Sequence, residues 1–321
     1  MTLNILLFIA GVALILFGAD ALVEGASGIA KKFGMSEFLI GATIVGIGTS
    51  VPEMVVSFLA AFNGNADIAV GNITGSNIFN VLAILGATAM ICPIAITKTN
   101  YKRDLTMALA AALLMLALSV DKFIVSGTSN VIGRIDGAIL LAMFAFYMIW
   151  SFRQDSGDNQ TADEDSASGK EKSVWILAAM ILLGIGALVG GGNLFVNSAS
   201  DIAKALGVSD AVIAMTLMAG GTSLPELASC IVAARKGKVQ LALGNVVGSN
   251  ISNILLIIGG SALICPLNVN PENFLAMIIG PAVTALLYLT TITPDRRKIG
   301  RLDGFCYLLL FAGYIVLMAT R

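Results

Sequence analysis

The stretch from Gly41 to Asn80 reads GATIVGIGTSVPEMVVSFLAAFNGNADIAVGNITGSNIFN, and this largely apolar stretch also contains a glutamate, a proline, hydroxyls and asparagines. A second copy, AMTLMAGGTSLPELASCIVAARKGKVQLALGNVVGSNISN, runs from Ala214 to Asn253. A polar motif that occurs twice in an apolar chain indicates one site built from two halves, and we interpret it as a site for metal cations. The copies align without a gap and pair Thr49 with Thr222, Ser50 with Ser223, Pro52 with Pro225, Glu53 with Glu226, Asn72 with Asn245, Ser76 with Ser249 and Asn80 with Asn253.

The composition of the chain is that of a membrane protein. Of its 321 residues, 57% are apolar and 12% are charged, and the mean hydropathy is +0.90. Apolar runs of about 20 residues recur, and each is long enough to cross the hydrocarbon core as a helix. We therefore predict an all-α polytopic membrane protein with ten transmembrane helices. The predicted spans are 3–29, 36–62, 66–91, 103–120, 133–152, 174–203, 209–234, 239–264, 272–292 and 302–319.

The N-terminus and the cysteines add further expectations. The opening residues MTLN lack the Lys or Arg of a secretory signal, so the first apolar run is predicted to be a retained span. The chain has no histidine, which argues against His-ligated metal sites and imidazole acid–base chemistry. The four cysteines are predicted to be small buried side chains without disulfides. They are Cys92, Cys230, Cys265 and Cys306.

A polar stretch at 153–173, RQDSGDNQTADEDSASGKEKS, predicts a flexible, solvated linker. It separates two predicted domains of five helices each, at 1–152 and 174–321. With the N-terminus placed outside, fifteen of the 19 Lys and Arg residues fall on the inner side and four on the outer side. The positive-inside rule then predicts that both termini are outside and that the linker is cytoplasmic, in the plasma or inner membrane.

The internal repeat extends beyond the motif. Gly18–Pro93 aligns with Gly191–Pro266 without a gap, and after a short length difference Gly133–Gly137 matches Gly300–Gly304. An odd number of spans per repeat places the second copy in the membrane with inverted topology. Inverted repeats that share a site at the midplane are common in secondary transporters. A structural duplication without transport is the alternative.

The prolines of the motif predict broken helices. Pro52 lacks an N–H and disfavours helical geometry at Val51, so the carbonyl of Gly48 loses its usual donor. Pro225 repeats this pattern in the second copy. Irregular backbone at membrane depth is tolerated where it is buried in protein or lines a cavity. A simple kink is the alternative for either proline, but a kink does not explain the glutamate that follows each one.

Glu53 and Glu226 supply the charge of the predicted site. A carboxylate at the bilayer centre costs a few kcal/mol, so the pair must be protonated or neutralised by cations. The groups around each glutamate are hydroxyls, amides and carbonyls, which hard cations prefer, and Ca²⁺ takes about 6–8 such oxygens. The two glutamates with Thr49 and Thr222 would balance the charge of one Ca²⁺ and coordinate it.

The third span is predicted to supply a second wall of the site. Asn72, Ser76 and Asn80 recur every four residues, which keeps them near one helix face, and the second copy repeats this spacing. Their neutral oxygens suit Na⁺. Gly71-xxx-Gly75 and its mate match small-xxx-small packing motifs, so helix packing is the alternative for the glycines. Asn72 and its mate Asn245 could instead bridge the broken helices.

Four further acidic residues have more local interpretations. Asp20 and Glu24 lie one turn apart near the inner end of the first span, and their repeat mates are asparagines. We expect them to make interfacial or helix contacts, with a cytoplasmic cation vestibule as the alternative. Asp136 and Asp303 are expected to form local ion pairs or caps at the starts of their spans.

The pattern GxGTSxPE followed by GNxxGSNxxN, present twice, resembles the α-repeats of the cation/calcium exchanger superfamily. The resemblance covers essentially the whole chain and is to the prokaryotic sodium/calcium exchanger branch. It implies a ten-span antiporter of the cell membrane, without an enzymatic cofactor, that exports Ca²⁺ against inward Na⁺. It also implies alternating access, in which the first and sixth spans move across the others. We expect Ca²⁺, Na⁺ and lipid as partners, no nucleic acid, and a functional monomer.

The resemblance also implies which residues bind the ions at the midplane. Glu53 and Glu226 would be shared by Ca²⁺ and Na⁺, and Thr49 and Thr222 would join them at the Ca²⁺ site. The implied Na⁺ ligands are Gly46, Ser50, Glu53, Ser76, Asn80, Ala219, Ser223, Glu226, Ser249 and Asn253.

Two departures within the superfamily refine these expectations. Many relatives, including the potassium-dependent exchangers, have Asp at the position of Asn253, so the resemblance here implies K⁺ independence and one fewer negative charge. The proton/calcium branch typically has GNxxE where this chain has GTSxPE, which argues against proton coupling.

The resemblance also implies that the exchange moves charge. If about three Na⁺ exchange for one Ca²⁺, one net charge crosses the membrane per cycle, and its movement is worth about 2.3 kcal/mol per 100 mV.

Three rival functions remain open. The main one is a proton/Ca²⁺ antiporter, or an antiporter of another divalent cation, on the same fold. An intramembrane metal-dependent enzyme would need a histidine site or a polar nucleophile, and the sequence offers only the repeated serines. A channel is a further alternative, which the doubled, charge-balanced site disfavours relative to a carrier.

Overall fold

The structure is a computed structural model, and it describes residues 2–120, 130–155, 172–206, 219–292 and 297–320. Within these residues, seven helices are long and apolar enough to cross a membrane. An eighth span is formed if Glu37–Thr49 and Val51–Phe62, which are bent by 49° at their junction, are taken as one. The helical membrane-protein class predicted from the sequence is therefore confirmed.

Helices account for nearly all of the described structure. In the first half they are α1 (Thr2–Phe33), α2 (Glu37–Ile40), α3 (Gly46–Thr49), α4 (Val51–Phe62), α5 (Ala66–Phe79), α6 (Gly86–Ile91), α7 (Thr106–Leu118) and α8 (Arg134–Asp155). In the second half they are α9 (Val174–Ala205), α10 (Ala219–Gly221), α11 (Leu224–Arg235), α12 (Val239–Ser252), α13 (Gly259–Ile264), α14 (Pro271–Thr290) and α15 (Arg301–Ala319). Short strands are β1 (Ile94–Ala95), β2 (Val131–Ile132), β3 (Leu267–Asn268) and β4 (Lys298–Ile299).

Four π-helical segments interrupt or extend these helices. They are Gly41–Val45 between α2 and α3, Asn80–Leu85 between α5 and α6, Asn100–Leu105 before α7, and Asn253–Ile258 between α12 and α13. The segments at Asn80 and Asn253 begin at repeat mates, so the sequence repeat is accompanied by the same local backbone deviation. Segments of π-helix are rare in proteins, and those that occur often lie at functional sites.

Two of the ten predicted spans are not among the membrane-length helices. The span predicted at 103–120 corresponds to α7, which has 13 residues and continues a π-helical segment. The span predicted at 209–234 contains α11, but residues 207–218 lie outside the described residues. Most of the predicted linker, 156–171, also lies outside them. The count of ten and the inverted topology remain predictions.

Contacts between loops define one end of the molecule. The Ser36 backbone N–H donates to the Asp155 carboxylate at 2.9 Å, and the Gln240 side chain donates to the Ala95 carbonyl at 2.7 Å. Strand β1 pairs antiparallel with β4, which joins the two halves of the chain. These loops are the ones that the Lys and Arg pattern assigns to a single side.

The opposite end is joined in a similar way. Strand β2 pairs antiparallel with β3, and the Asn270 amide donates to the Asp67 carboxylate at 2.6 Å. The Arg134 guanidinium donates to the Leu263 carbonyl at 3.3 Å. Each end is thus closed by a strand pair that takes one strand from each half of the chain.

The two 32-residue helices, α1 and α9, pack directly on each other through glycines. A Cβ added at Gly11 would lie 3.0 Å from the Gly191 carbonyl, and one added at Gly18 would lie 2.8 Å from the Gly184 carbonyl. Gly11 and Gly184 are repeat mates, as are Gly18 and Gly191, so the contacts cross between the copies. Absent side chains let the two backbones touch, as in small-xxx-small membrane interfaces.

A second glycine contact positions α12 against the first half. A Cβ at Gly244 would lie 2.2 Å from the Phe38 carbonyl, and one at Gly248 would lie 2.2 Å from the Ala42 carbonyl. The packing alternative proposed for these glycines is therefore correct. The corresponding contact of Gly71 and Gly75 would involve 211–215, which lie outside the described residues.

The cysteines follow their prediction in part. All four are free thiols, as expected, and Cys230 is buried. The expectation of burial is wrong for Cys306, which lies on the exposed surface of α15, a helix whose outer face is apolar and available to lipid. Cys92 and Cys265 are half-buried.

The glycine contact between α1 and α9 generates a stability prediction. Gly191→Ala should lower the melting temperature of the detergent-solubilised protein, because its Cβ would meet the Gly11 carbonyl and the Ile15 amide at 2.9 Å. Overpacking of this kind costs about 1–3 kcal/mol. The control is Gly190→Ala on the adjacent, exposed position of the same helix, where an added Cβ meets no described atom within 4 Å. Equal melting temperatures for the two variants would contradict this interface.

Candidate cation-binding site

The helix breaks predicted from the prolines are present in both copies. Ser50 lies between α3 and α4 with φ −81° and ψ 8°, and Ser223 precedes α11 with φ −91° and ψ 8°. Pro52 and Pro225 lie in the first turns of α4 and α11, where a missing N–H costs no helical hydrogen bond. Each proline therefore starts a new helix immediately after a break.

Glu53 and Glu226 lie in the first turns of these new helices, and both are fully buried. A carboxylate near a helix N-terminus is stabilised by the unpaired N–H groups and the helix dipole. Glu53 accepts a hydrogen bond from Ser223, three residues before Glu226, and Glu226 accepts one from Ser50, three residues before Glu53. The structure thus brings the two predicted carboxylates together in the protein interior.

Hydroxyls from opposite halves of the chain hold the two carboxylates. The Ser223 hydroxyl donates to Glu53 Oε1 at 2.9 Å, and the Ser50 hydroxyl donates to Glu226 Oε1 at 3.0 Å. Ser76 donates to Glu53 Oε1 at 3.4 Å and lies 3.0 Å from the Ser223 hydroxyl. These five residues form what we call the central cluster. Because each carboxylate needs a serine of the other half, neither half forms the cluster alone.

The two predicted threonines border the central cluster. Thr49 and Thr222 directly precede Ser50 and Ser223, the serines that donate to the carboxylate of the other half. The Thr49 hydroxyl is buried and contacts the Val45 carbonyl at 3.0 Å, which is a common contact of a helical threonine. It therefore lies at the broken backbone, next to the serine that reaches the other copy.

A hydrogen bond joins Gly46 to Ser249. The Ser249 hydroxyl donates to the Gly46 carbonyl at 3.1 Å, which places a backbone oxygen and a hydroxyl of opposite halves together. The predicted mate of Gly46, Ala219, lies at the start of α10. The Gly46–Ser249 contact, like those of the serines with the glutamates, crosses between the two halves of the chain.

Asn80 and Asn253 lie at the starts of the π-helical segments and are fully buried. The Asn253 amide donates to the Ser76 hydroxyl at 3.4 Å, which connects it to the central cluster. Within the described residues, four buried acceptor oxygens of this region have no hydrogen-bond partner, and two of them are carboxylate oxygens. They are Glu53 Oε2, Glu226 Oε2, Asn80 Oδ1 and Asn253 Oδ1.

Asn72 and Asn245 bridge the broken helices, which was one of the two interpretations offered for them. Asn72 donates to the Glu53 carbonyl at 3.3 Å and to the Ser57 hydroxyl at 3.1 Å. Asn245 donates to the Ser229 hydroxyl at 2.7 Å and accepts from Thr49 at 3.1 Å. Both amides therefore fix the third-span helices to the helices that carry the glutamates.

A sequence model of the family described as sodium/calcium exchanger protein matches residues 3–153 and 176–320. The chain belongs to the sodium/calcium exchanger family. It is 33% identical to the sodium/calcium exchanger MaX1 of Methanosarcina acetivorans, over 99% of each chain. It is 30% identical to the inner membrane protein YrbG of Escherichia coli, over 99% of this chain and 97% of the relative.

A solved structure shares the fold of this exchanger. The sodium-calcium exchanger NCX_Mj, soaked with Na⁺ and Sr²⁺, superposes with a TM-score of 0.83 at 33% identity, and the match covers 98% of each chain. The resemblance inferred from the repeated motif is thus confirmed. The exchanger is a multi-pass membrane transporter of the cation/Ca²⁺ antiporter class and is not an enzyme.

Sequence reasoning missed two buried asparagines that contact Asn80 and Asn253. Asn77 and Asn250 are buried, and each donates to the backbone carbonyl of the other at 3.2 Å. Their amide oxygens accept from Asn253 and Asn80. The signal was present, because both belong to the repeated GSN triplet. It was overlooked because they fall outside the four-residue spacing of the other polar side chains.

The remaining acidic residues make the local contacts that were expected. The Lys236 ammonium pairs with Asp20 at 2.5 Å and with Glu24 at 3.5 Å, and Lys172 pairs with Glu24 at 3.0 Å. These four side chains lie partly exposed at the end of the molecule that carries the β1–β4 pair. The Asp136 and Asp303 carboxylates cap their helices by accepting from the Gly133 and Gly300 amides at 2.7 and 2.8 Å.

The bridging role of Asn245 can be measured as stability. Asn245→Ala should lower the melting temperature of the purified exchanger, since it leaves the buried Ser229 and Thr49 hydroxyls without this partner. An unsatisfied buried polar group costs about 1–3 kcal/mol. Asn65→Ala is the matched control, because Asn65 is exposed and its side chain makes no capping hydrogen bond. A drop of the same size in both variants would exclude a specific bridging role.

Proposed function

We propose that this chain exchanges Na⁺ for Ca²⁺ across the membrane and that the central cluster, together with the groups that border it, binds both ions. The observation that carries the proposal is the group of four buried acceptor oxygens, from Glu53, Asn80, Glu226 and Asn253, that have no partner among the described residues. A carbonyl or carboxylate oxygen can be satisfied only by a donor or a cation. Burial without either is costly, so the arrangement suits a site that is filled by cations.

The donor set favours hard cations. Among the described residues, no group of three or more His, Cys, Asp or Glu side chains could hold a metal. The available ligands are two carboxylates supplemented by hydroxyl, amide and backbone oxygens, and Ca²⁺ and Na⁺ prefer such oxygen ligands. Two carboxylates also match the charge of one Ca²⁺, whereas soft or transition metals would gain little from this set.

We assign the ligands by their positions around the two glutamates. For Ca²⁺ they are Thr49, Glu53, Thr222 and Glu226. For Na⁺ they are Gly46, Ser50, Glu53, Ser76, Asn80, Ala219, Ser223, Glu226, Ser249 and Asn253. Since both ions use the same carboxylates, one must leave before the other binds, which is the condition for obligatory exchange.

The proposed mechanism is alternating access in a monomer. The helices α1 and α9 pack on each other through glycines, so they can move as one unit across the helices that carry the cluster. In this proposal the chain has ten spans in two inverted repeats, at 1–152 and 174–321, and binds the ions near the midplane. Both termini are outside, and the linker 153–173 is cytoplasmic.

The first test measures flux. Everted membrane vesicles or proteoliposomes that contain the full chain are loaded with Na⁺ and diluted into ⁴⁵Ca²⁺. We expect Ca²⁺ uptake that requires the outward Na⁺ gradient and that disappears in Glu53→Gln and in Glu226→Gln. Each substitution keeps the shape of the side chain but removes one of the two charges that would balance Ca²⁺.

The control is the same substitution at a glutamate outside the cluster. Glu37 pairs with Lys238 at 2.6 Å near the end of the molecule, and Glu37→Gln should retain uptake because such exposed pairs contribute little. Near-normal flux in Glu53→Gln or in Glu226→Gln would contradict the assignment of the ion-binding site to these glutamates. Uptake driven by a pH gradient alone, with no response to Na⁺, would instead support the proton/Ca²⁺ alternative.

A second flux test addresses charge movement and K⁺. If the exchanger moves one net charge per cycle, an imposed membrane potential should change the rate of Na⁺-dependent Ca²⁺ uptake, and reversing its sign should reverse the effect. Replacing K⁺ by choline on both sides should leave uptake unchanged, because Asn253 offers no third carboxylate. Uptake that is insensitive to voltage would contradict electrogenic exchange, and uptake that requires K⁺ would contradict K⁺ independence.

A further inference from the structure

We propose that Asn77 and Asn250 are positioning residues that fix the amide orientation of Asn253 and Asn80, so that oxygens and not NH₂ groups are presented to the cations. The inference rests on the proposed function of the central cluster.

A backbone carbonyl fixes the orientation of the Asn77 side-chain amide. The Asn77 Nδ2 group donates to the Asn250 carbonyl oxygen at 3.2 Å. A carbonyl can only accept, so the group of Asn77 that faces it must be NH₂. The Asn77 Oδ1 atom is therefore directed to the other side of the amide, where it accepts from Asn253 Nδ2 at 2.9 Å.

The orientation of Asn77 in turn determines the orientation of the Asn253 amide. Its NH₂ group is used by Asn77 Oδ1 and, at 3.4 Å, by the Ser76 hydroxyl. A flipped Asn253 would place its own oxygen against the oxygen of Asn77, which removes a buried hydrogen bond and adds a repulsive contact. The orientation that remains leaves Asn253 Oδ1 buried and without a partner among the described residues.

The same series of hydrogen bonds, which we call the relay, also starts from Asn250 in the second half of the chain. The Asn250 Nδ2 group donates to the Asn77 carbonyl at 3.2 Å, and Asn80 Nδ2 donates to Asn250 Oδ1 at 3.0 Å. Asn80 Oδ1 is then the atom left without a described partner. Two backbone carbonyls, one from each half, thus set the direction of four amides.

The relay is crossed between the halves. Asn77 acts on Asn253, and Asn250 acts on Asn80, so each positioning residue controls a proposed ligand of the other repeat. This pattern gives the inference a signature that simple packing does not have. Loss of Asn77 should weaken cation binding only through its effect on Asn253, and loss of Asn250 only through its effect on Asn80.

The relay also bears on the charge of the site. An ionised aspartate at position 253 would have no N–H for Asn77 Oδ1, and the two oxygens would face each other at the 2.9 Å now occupied by a hydrogen bond. Asn77 could not flip to relieve this without turning its oxygen toward the Asn250 carbonyl. The Asn77 amide therefore favours a neutral residue at position 253 and a site with two carboxylates.

The test is a set of double-mutant cycles on Na⁺ affinity, because Asn80 and Asn253 are proposed Na⁺ ligands. Calorimetric Na⁺ titrations in Ca²⁺-free buffer would use the full-length purified exchanger and the variants Asn77→Ala, Asn250→Ala, Asn80→Ala and Asn253→Ala, alone and in pairs. We expect Asn77→Ala to weaken Na⁺ binding by about five- to tenfold, as for the loss of one buried hydrogen bond. In the Asn253→Ala background, Asn77→Ala should have no further effect.

The pairs within one repeat provide the internal control. Asn77→Ala with Asn80→Ala, and Asn250→Ala with Asn253→Ala, should multiply their separate effects, because these residues do not share a relay. Multiplicative effects in all four pairs, or coupling only within one repeat, would overturn the positioning role. If alanine variants fail to give a monodisperse peak on size exclusion, Asn77→Leu and Asn250→Leu keep the volume without the hydrogen bonds and replace them in the same cycles.

The two proposals fail in different ways. Absence of Na⁺ binding by the wild-type chain would overturn the proposed function and this inference together. Wild-type Na⁺ binding with uncoupled losses of affinity would overturn only the inference. Melting temperatures measured without Na⁺ separate loss of stability from loss of affinity, since a merely structural role lowers the melting temperature without the crossed pattern in Na⁺ affinity.

Discussion

Burial of two carboxylates in a chain that spans the membrane is the constraint on which the rest of the structure depends. Glu53 and Glu226 are fully buried, and a charge in that environment costs several kcal/mol unless it is compensated. The chain compensates them partly by placing each at the start of a new helix and by donating hydroxyls from Ser50 and Ser223. The helix breaks, the prolines and the bridging asparagines all serve to hold these groups together.

The crossed hydrogen bonds explain why the motif occurs twice. Glu53 accepts from a serine of the second half, and Glu226 accepts from a serine of the first half. The strand pairs at the two ends and the glycine contacts of α1 with α9 also join one half to the other. A single copy would therefore lack the serine that lies nearest to its own carboxylate, and partners for its apolar faces, so the duplicated units depend on each other.

The sequence was sufficient to predict that the two buried carboxylates come together, because its two copies could be aligned. The pairing of Glu53 with Glu226 and the breaks at Pro52 and Pro225 follow from residue identities alone. The π-helical segments at Asn80 and Asn253 were not predictable, because they are buried on nearly all sides and have no apolar periodicity that an extra residue could shift. The helix α7 was predicted as a full span, but it follows a π segment that carries Arg103 and Asp104, an ion pair buried at 2.9 Å.

Hydroxyls and amides have different freedom in this arrangement. A serine such as Ser50 or Ser223 now donates to a carboxylate, yet its hydroxyl can rotate and offer a lone pair to a cation instead. An asparagine presents either its oxygen or its NH₂, and exchanging them requires the whole amide to flip. In the proposed exchange cycle, the serines can therefore follow the arrival and departure of each ion. The amides of Asn80 and Asn253 must already be correctly oriented, which is why their orientation is anchored to backbone carbonyls that can only accept.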